Sequence, residues 1–338
     1  RFLAAGISMA NTHQFDLKKF RVPFGEKLRI RKLPTSGPSI DGMKEKAAQA
    51  LSSDVSSLQG AQERLYADGK QSLLVILQGM DAAGKDGTIR HVMGGINPQG
   101  CVVSSFKAPN SEELQHHFLM RPMRCLPKRG MIGIFNRSYY EEVLVVRVHP
   151  EFLKPQVLPT LHKGESLWEH RFAEIRQFEE MLTRHGTTVI KIFLHVSQKE
   201  QRKRLLERLK DSTKHWKFNA GDLKERALWD KYEEAIDAML PATSTKAAPW
   251  YVVPGDDKWY TRAVVADIIT QHLQKMDLKF PEVPAEELAK FPEYIQTLEQ
   301  EITSGDAKKR GRSGKSNKGK KSDRKKKSNA ADSTDIGA

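Results

Sequence analysis

Only two cysteines, Cys101 and Cys125, occur in 338 residues. They are too few for a disulfide framework, and they lack the neighbouring partners of a zinc site. A reducing cytoplasm is the expected compartment. No apolar run approaches the ~20 residues that span a bilayer, so no membrane role is expected. The opening RFLAAGISMA has too short an apolar stretch for a secretory leader. Internal repeats are absent, as are helix-turn-helix, zinc-finger and aromatic RNA-binding signatures. Acid is in short supply relative to base: 56 Lys and Arg face 42 Asp and Glu, a formal net charge of +14.

That excess is uneven. From Gly305 onward the chain carries twelve Lys and Arg against four Asp and almost nothing apolar. Residues 305–338 therefore read as a disordered, Lys/Ser-rich basic tail, able to touch polyanions nonspecifically. Residues 1–14 read as a disordered N-terminus. Between them, 38% hydrophobic residues suffice for a core.

Strand and helix patterns alternate from about 70 to 275. SLLVILQG (72–79) is a continuous apolar run, as a strand buried on both faces should be. CVVSSF (101–106), GMIGIFN (130–136), TTVIKIFLHVS (187–197) and WYVVP (250–254) supply four more strands. Helices are expected near Gly87, between the third and fourth strands with Trp168, Phe172, Ile175, Met181 and Leu182 on one face, and over QKEQRKRLLERLKD with Leu205, Leu206 and Leu209 inward. A further helix should start at a capping box of Asp222 and Glu225 and run to about Leu240. An extended arm and one helix occupy 10–69. The pattern predicts an α/β fold of three layers around a five-stranded, mostly parallel sheet, with ligands at the carboxyl ends of the strands.

At the end of the first strand stands LQGMDAAGKDGT. Gly79, Gly84 and Lys85 fit the phosphate-loop pattern G-x-x-x-x-G-K, but Asp86 takes the place of its Ser or Thr. Alone the pattern arises by chance in on the order of one chain in ten. Its position between a buried strand and a helix makes it a phosphate cradle. Backbone N–H groups from Gly79 through Ala82, Ala83, Gly84, Gly87 and Thr88 would face the anion, with Lys85 adding charge. Asp81 and Asp86 beside an anion make sense if they hold metal, since Mg²⁺ takes hard oxygen ligands. The third strand closes on Asn136, where generic nucleotide kinases carry Asp. Arg137, Glu141 and Glu142 follow at once.

Four stretches, QGMDAAGKDGTIRHVMGGINPQG, IFNRSYYEEVLVVRVHPE, RLKDSTKHWKFNAGDLKERALWDKYEEA and APWYVVPGDDKWYTR, together resemble the polyphosphate kinase 2 family from about residue 15 to 283. The resemblance implies a P-loop kinase core over 15–285 with a helical lid at about 198–240, then a C-terminal helix over 286–304. It implies Mg²⁺, with Mn²⁺ as substitute, and reversible transfer between inorganic polyphosphate and adenine or guanine nucleotides. It also implies a homo-oligomer, dimer or tetramer. Asn136 with Glu141 resembles the branch called class III, which acts on mono- and diphosphates. On this reading Asp81, Lys85, Arg137 and Glu141 are catalytic. Asn136, Arg137, Glu141 and Glu142 meet the nucleotide. Arg121, Arg124, Lys128, Arg129, Arg204 and Arg208, with the loop residues including Asp86, hold polyphosphate. Trp216 and Phe218 are expected chiefly to anchor the lid. The competing readings are an ATP-dependent nucleoside monophosphate kinase and a nucleic-acid binder recruited by its tail.

Overall fold

The computed structural model describes residues 15–156, 158 and 164–313, without the side chains of 165 and 304–313. The expectations for 1–14 and 314–338 lie outside the described residues. The chain divides into two units, Arg1–Pro281 and Glu282–Ala338.

In the first unit five strands, β1 (Ser72–Gly79), β2 (Cys101–Ser105), β3 (Ile132–Asn136), β4 (Thr187–His195) and β5 (Trp250–Pro254), form one sheet. Its order is β2-β3-β1-β4-β5, and every pairing is parallel. β1 lies at the centre because all eight of its residues are buried, which an apolar run permits only between two covered faces. β2 is an edge, and its Val102 and Val103 remain exposed.

The longer helices are α1 (Met43–Asp68), α2 (Lys85–Val92), α3 (Glu165–Arg184), α4 (Gln198–Lys210), α5 (Gly221–Ala227), α6 (Trp229–Thr243) and α7 (Lys258–Gln274). α7 packs along α1 and is buried nearly all round, as a helix between a sheet and a second helix must be. On α3, Trp168, Phe172, Ile175 and Leu182 are buried as expected, whereas Met181 is exposed. Of the three leucines on α4 only Leu205 is buried; Leu206 and Leu209 face solvent, because Gln201 and Arg204 take the inward positions instead.

The predicted helix over 222–240 is two helices, broken at Leu228. Asp222 is no cap, since its carboxylate accepts from Arg208 at 3.3 Å. The cap that does form is Ser197, whose own amide donates to Asp256 Oδ1 at 2.8 Å and not to Glu200. Ser197 Oγ accepts from the Glu200 amide at 3.1 Å and starts α4 directly after the fourth strand.

In the second unit a short helical turn (Ala285–Leu288) precedes α8 (Phe291–Ser313). This last helix runs past the end expected at 304, into the stretch read as tail.

Candidate active site

The loop after β1 doubles back so tightly that side chains are excluded at its start. Gly79 has φ +152°, and a Cβ there would sit 2.8 Å from the Leu194 carbonyl. Ala82 (φ 61°) and Arg137 (φ 64°) hold left-handed backbone without being glycine. Such strain persists only where surroundings enforce it, and it gathers at functional sites.

Lys85 opens α2 and is buried. Its Nζ donates to the Gly79 carbonyl at 2.7 Å and to that of Met80 at 3.4 Å, curling back onto the loop. Burial first, and Arg137 second, lower its pKa to about 8, against the opposing pull of Asp81, Glu141 and Asp86.

Arg137, directly after β3, is the hinge of the charge arrangement. It donates to Asp81 Oδ1 at 2.7 Å and to Glu141 Oε2 at 3.4 Å. Burial alone would lower its pKa, but Glu141 and Asp81 outweigh that and raise it. Asn136, the last residue of β3, donates from Nδ2 to Asp86 Oδ1 at 2.7 Å. An Asp at 136 would set two carboxylates against each other; the amide makes the contact favourable.

These groups face one cavity of about 1040 Å³, lined by Asp81 through Gly87, Arg121, Asn136, Arg137, Glu141, Glu142, Arg204 and Arg208. Thr88 is buried behind the loop. The cavity lies off the carboxyl ends of β1, β2 and β3, as the strand order requires. Its other walls are apolar and aromatic (Phe106, Phe118, Val145, Phe152) or basic (Lys107, Lys214, Lys217, Lys258).

Several predicted residues have other partners. Arg204 is buried, and its guanidinium reaches the carbonyls of Ala82 (3.0 Å), Ala83 (2.9 Å), Gly255 (2.6 Å) and Asp256 (3.0 Å), while Nε donates to Glu200 at 2.9 Å. Its neighbour one turn earlier, Gln201, donates to the Asp81 carbonyl at 3.0 Å. The first half of α4, expected to move with the lid, is thus tied to the loop.

Glu142 turns to buried Arg171, which donates to its carboxylate at 2.8 Å and its carbonyl at 2.9 Å. Arg121 donates to the Lys107 carbonyl at 2.8 Å and pairs with Glu113 at 3.2 Å. Arg124, Lys128 and Arg129 are exposed and do not line the cavity. For the last two the reason is topological. They precede β3, whose first residue is at the opposite end of the sheet, where the Gly130 amide donates to the Gln71 carbonyl. Trp216 is 79% exposed in the cavity wall, so it does not anchor the lid.

Sequence reasoning passed over a buried charge network beneath the Arg137–Glu141 turn. Lys191 on β4 and Glu179 on α3 form an ion pair that is almost solvent-free. Glu179 also accepts from Tyr139 at 2.8 Å and Tyr140 at 2.7 Å, and Lys191 donates to the Thr243 carbonyl at 2.6 Å. Burial lowers the Lys191 pKa, with Glu179 opposing. The two tyrosines sit between Arg137 and Glu141, so the network fixes the turn that presents both. A lysine inside the apolar run VIKIFL was its signal.

Among the described residues no group of three or more His, Cys, Asp or Glu side chains is poised to hold a metal. Asp81 and Asp86 nevertheless fit one, because each contact noted above uses one oxygen of the carboxylate. In phosphoryl-transfer sites one or two carboxylates and the substrate's own phosphates complete the Mg²⁺ shell.

A family model described as polyphosphate kinase 2 matches residues 42–281, ending where the second unit begins. A protein of Rhodopseudomonas palustris named ADP-polyphosphate phosphotransferase is 46% identical over 284 residues, 84% of this chain and 97% of that protein. One of Meiothermus ruber, named AMP/ADP-polyphosphate phosphotransferase, is 43% identical over 79% of this chain and 96% of its own length. The crystal structure of polyphosphate kinase 2 from Arthrobacter aurescens TC1 superposes with a TM-score of 0.73 at 40% identity, covering 81% of this chain and 95% of that one.

Proposed function

This chain belongs to the polyphosphate kinase 2 family, and on that premise we propose that it moves a phosphoryl group reversibly between inorganic polyphosphate and nucleotides, making ADP from AMP and ATP from ADP. A terminal phosphate oxygen of the acceptor forms a P–O bond to the chain-end phosphorus of polyphosphate. The bridging P–O bond to the next phosphate breaks, and the shortened chain keeps that electron pair on its new terminal oxygen.

Such a step needs alignment and charge neutralisation more than covalent help. Lys85 leaves the two carbonyls it now caps and donates to the transferred group. Arg137, already held between Asp81 and Glu141, neutralises an equatorial oxygen. The loop amides from Ala82 to Gly87 cradle the neighbouring phosphate. A divalent cation, Mg²⁺ with Mn²⁺ as substitute, would be held by Asp81 and Asp86 and would supply positive charge against the phosphates.

The polyanion's path follows Arg121, Arg208, Lys214 and Lys217, and the apolar wall of Phe118, Val145 and Phe152 suits a nucleobase, adenine or guanine. The observation that carries this reading is the large cavity that joins the loop, the Arg137 turn and the basic rim. The acceptor choice rests on Asn136 and Glu141, and the Meiothermus ruber relative, named for both AMP and ADP, supports it. Purified protein given Mg²⁺ and AMP or ADP, with polyphosphate or ATP as donor, tests it. Transfer from polyphosphate to both acceptors is expected. Transfer to AMP from ATP alone would replace it with a monophosphate kinase.

A further inference from the structure

The last helix, α8, carries an apolar seam of exposed side chains. On α8, Phe291, Ile295, Leu298 and Ile302 follow one another at steps of four, three and four. All are exposed, from 39% at Phe291 to 66% at Ile302. Scattered surface leucines are ordinary; four large apolar side chains in one heptad stripe are not. That spacing is the 3.5-residue period of a helix that winds around another helix, and a lone helix of this length is only marginal in water.

We propose that α8 pairs antiparallel with α8 of a second copy of this chain. The apolar spacing gives the register. Ile295 meets Leu298 of the partner subunit and Phe291 meets Ile302 of the partner subunit, so each layer joins two large side chains across the seam.

Charge selects the direction. Glu282, Glu286 and Glu287 stand at the start of this segment, and Lys308, Lys309, Arg310 and Arg312 at its end. Antiparallel pairing lays the basic end of each chain beside the acidic start of the other. Parallel pairing would set base on base and acid on acid. Along the middle, the register brings Glu299 and Glu301 beside Pro292 of the partner subunit and Tyr294 of the partner subunit, with no acid facing acid. A polyanion could meet the basic end but could not cover the seam.

The test uses the full chain with Cys101→Ser and Cys125→Ser. Copies carrying Phe291→Cys are mixed with copies carrying Ile302→Cys under mild oxidation and run on a non-reducing gel. A mixed disulfide dimer is expected, together with near-complete loss of it when Ile295→Glu and Leu298→Glu are added to both. Phosphotransfer should persist in every variant, because none of these residues lines the cavity. Disulfides formed only between Phe291→Cys copies would overturn the antiparallel register. Absence of any dimer, or a mixed dimer that survives the two glutamates, would overturn the pairing itself.

Discussion

Replacing Arg204 with alanine separates two roles that look alike in the sequence, a polyphosphate ligand and a brace for the loop. The guanidinium reaches four backbone carbonyls, two in the phosphate loop and two after β5, and its Nε pairs with Glu200. Removing it strands these acceptors in a buried place. Hydrogen bonds to a charged group contribute ~1.5–3 kcal/mol each, but water entering the gap will satisfy some of the carbonyls. A net loss of about 3–5 kcal/mol, the usual result of breaking a buried charged pair, is expected. In a unit of this size that lowers Tm by roughly 6–20 °C.

Because the loop carbonyls of Ala82 and Ala83 would loosen, kcat at saturating polyphosphate should fall by about 10²-fold. Arg204→Lys keeps the charge but has no planar fork, so it should recover only a small part of either loss. Thermal unfolding and initial rates against polyphosphate concentration measure both. A variant that melts like the parent and shows only a raised KM for polyphosphate would refute the brace and restore the ligand role.

Lys85→Ala and Asp81→Asn should each lower turnover by about 10²-fold or more with Tm little changed, since both act on charge that develops in the transition state; near-parental turnover in either would remove it from the catalytic set. Free Lys85 titrates at about 8, so polyphosphate binding above that pH should draw in a proton, seen as a buffer-dependent heat in calorimetry. Glu141→Asn should impair the AMP reaction more than the ADP reaction, because the shorter acceptor depends on the charge beside Arg137; equal losses would make Glu141 a general support for that arginine. Asp54, buried and facing Asp267, has its pKa raised to about 7 by burial first and Asp267 second. The folded state therefore holds this proton more tightly than the unfolded chain, and stability falls as pH rises from about 4 to about 7. Asp54→Asn should then raise stability by about 1–3 kcal/mol at pH 8, with a Tm difference that shrinks towards pH 4; a difference independent of pH would show that Asp54 is already ionised.

Sheet and loop were legible because their signals are local. An apolar run buried on two faces, a glycine-lysine turn and a helix start each depend on a few adjacent residues. The charge cluster of Arg137 with Asp81 and of Asn136 with Asp86 was legible only as neighbourhoods, since which acid meets which base depends on the parallel register of β1 against β3. Arg204 misled for the same reason. A basic residue on a basic helix reads as solvated or ligand-facing, and nothing local shows that the loop's carbonyls lie within its reach. Arg129 misled because its distance in sequence from Arg137 is short, although a strand's length separates the two ends of β3. Leu206 and Leu209 failed as core because helical periodicity counts apolar residues alone, and here polar Gln201 and Arg204 take the buried face to tie down the loop.

The most direct test of the central claim is a rate measurement with purified protein, AMP and Mg²⁺, comparing polyphosphate with ATP as donor and then ADP with AMP as acceptor. The account predicts that polyphosphate yields ADP from AMP and ATP from ADP, and that both reactions fall together by about 10²-fold or more in Lys85→Ala. Phosphorylation of AMP by ATP with none from polyphosphate would contradict it.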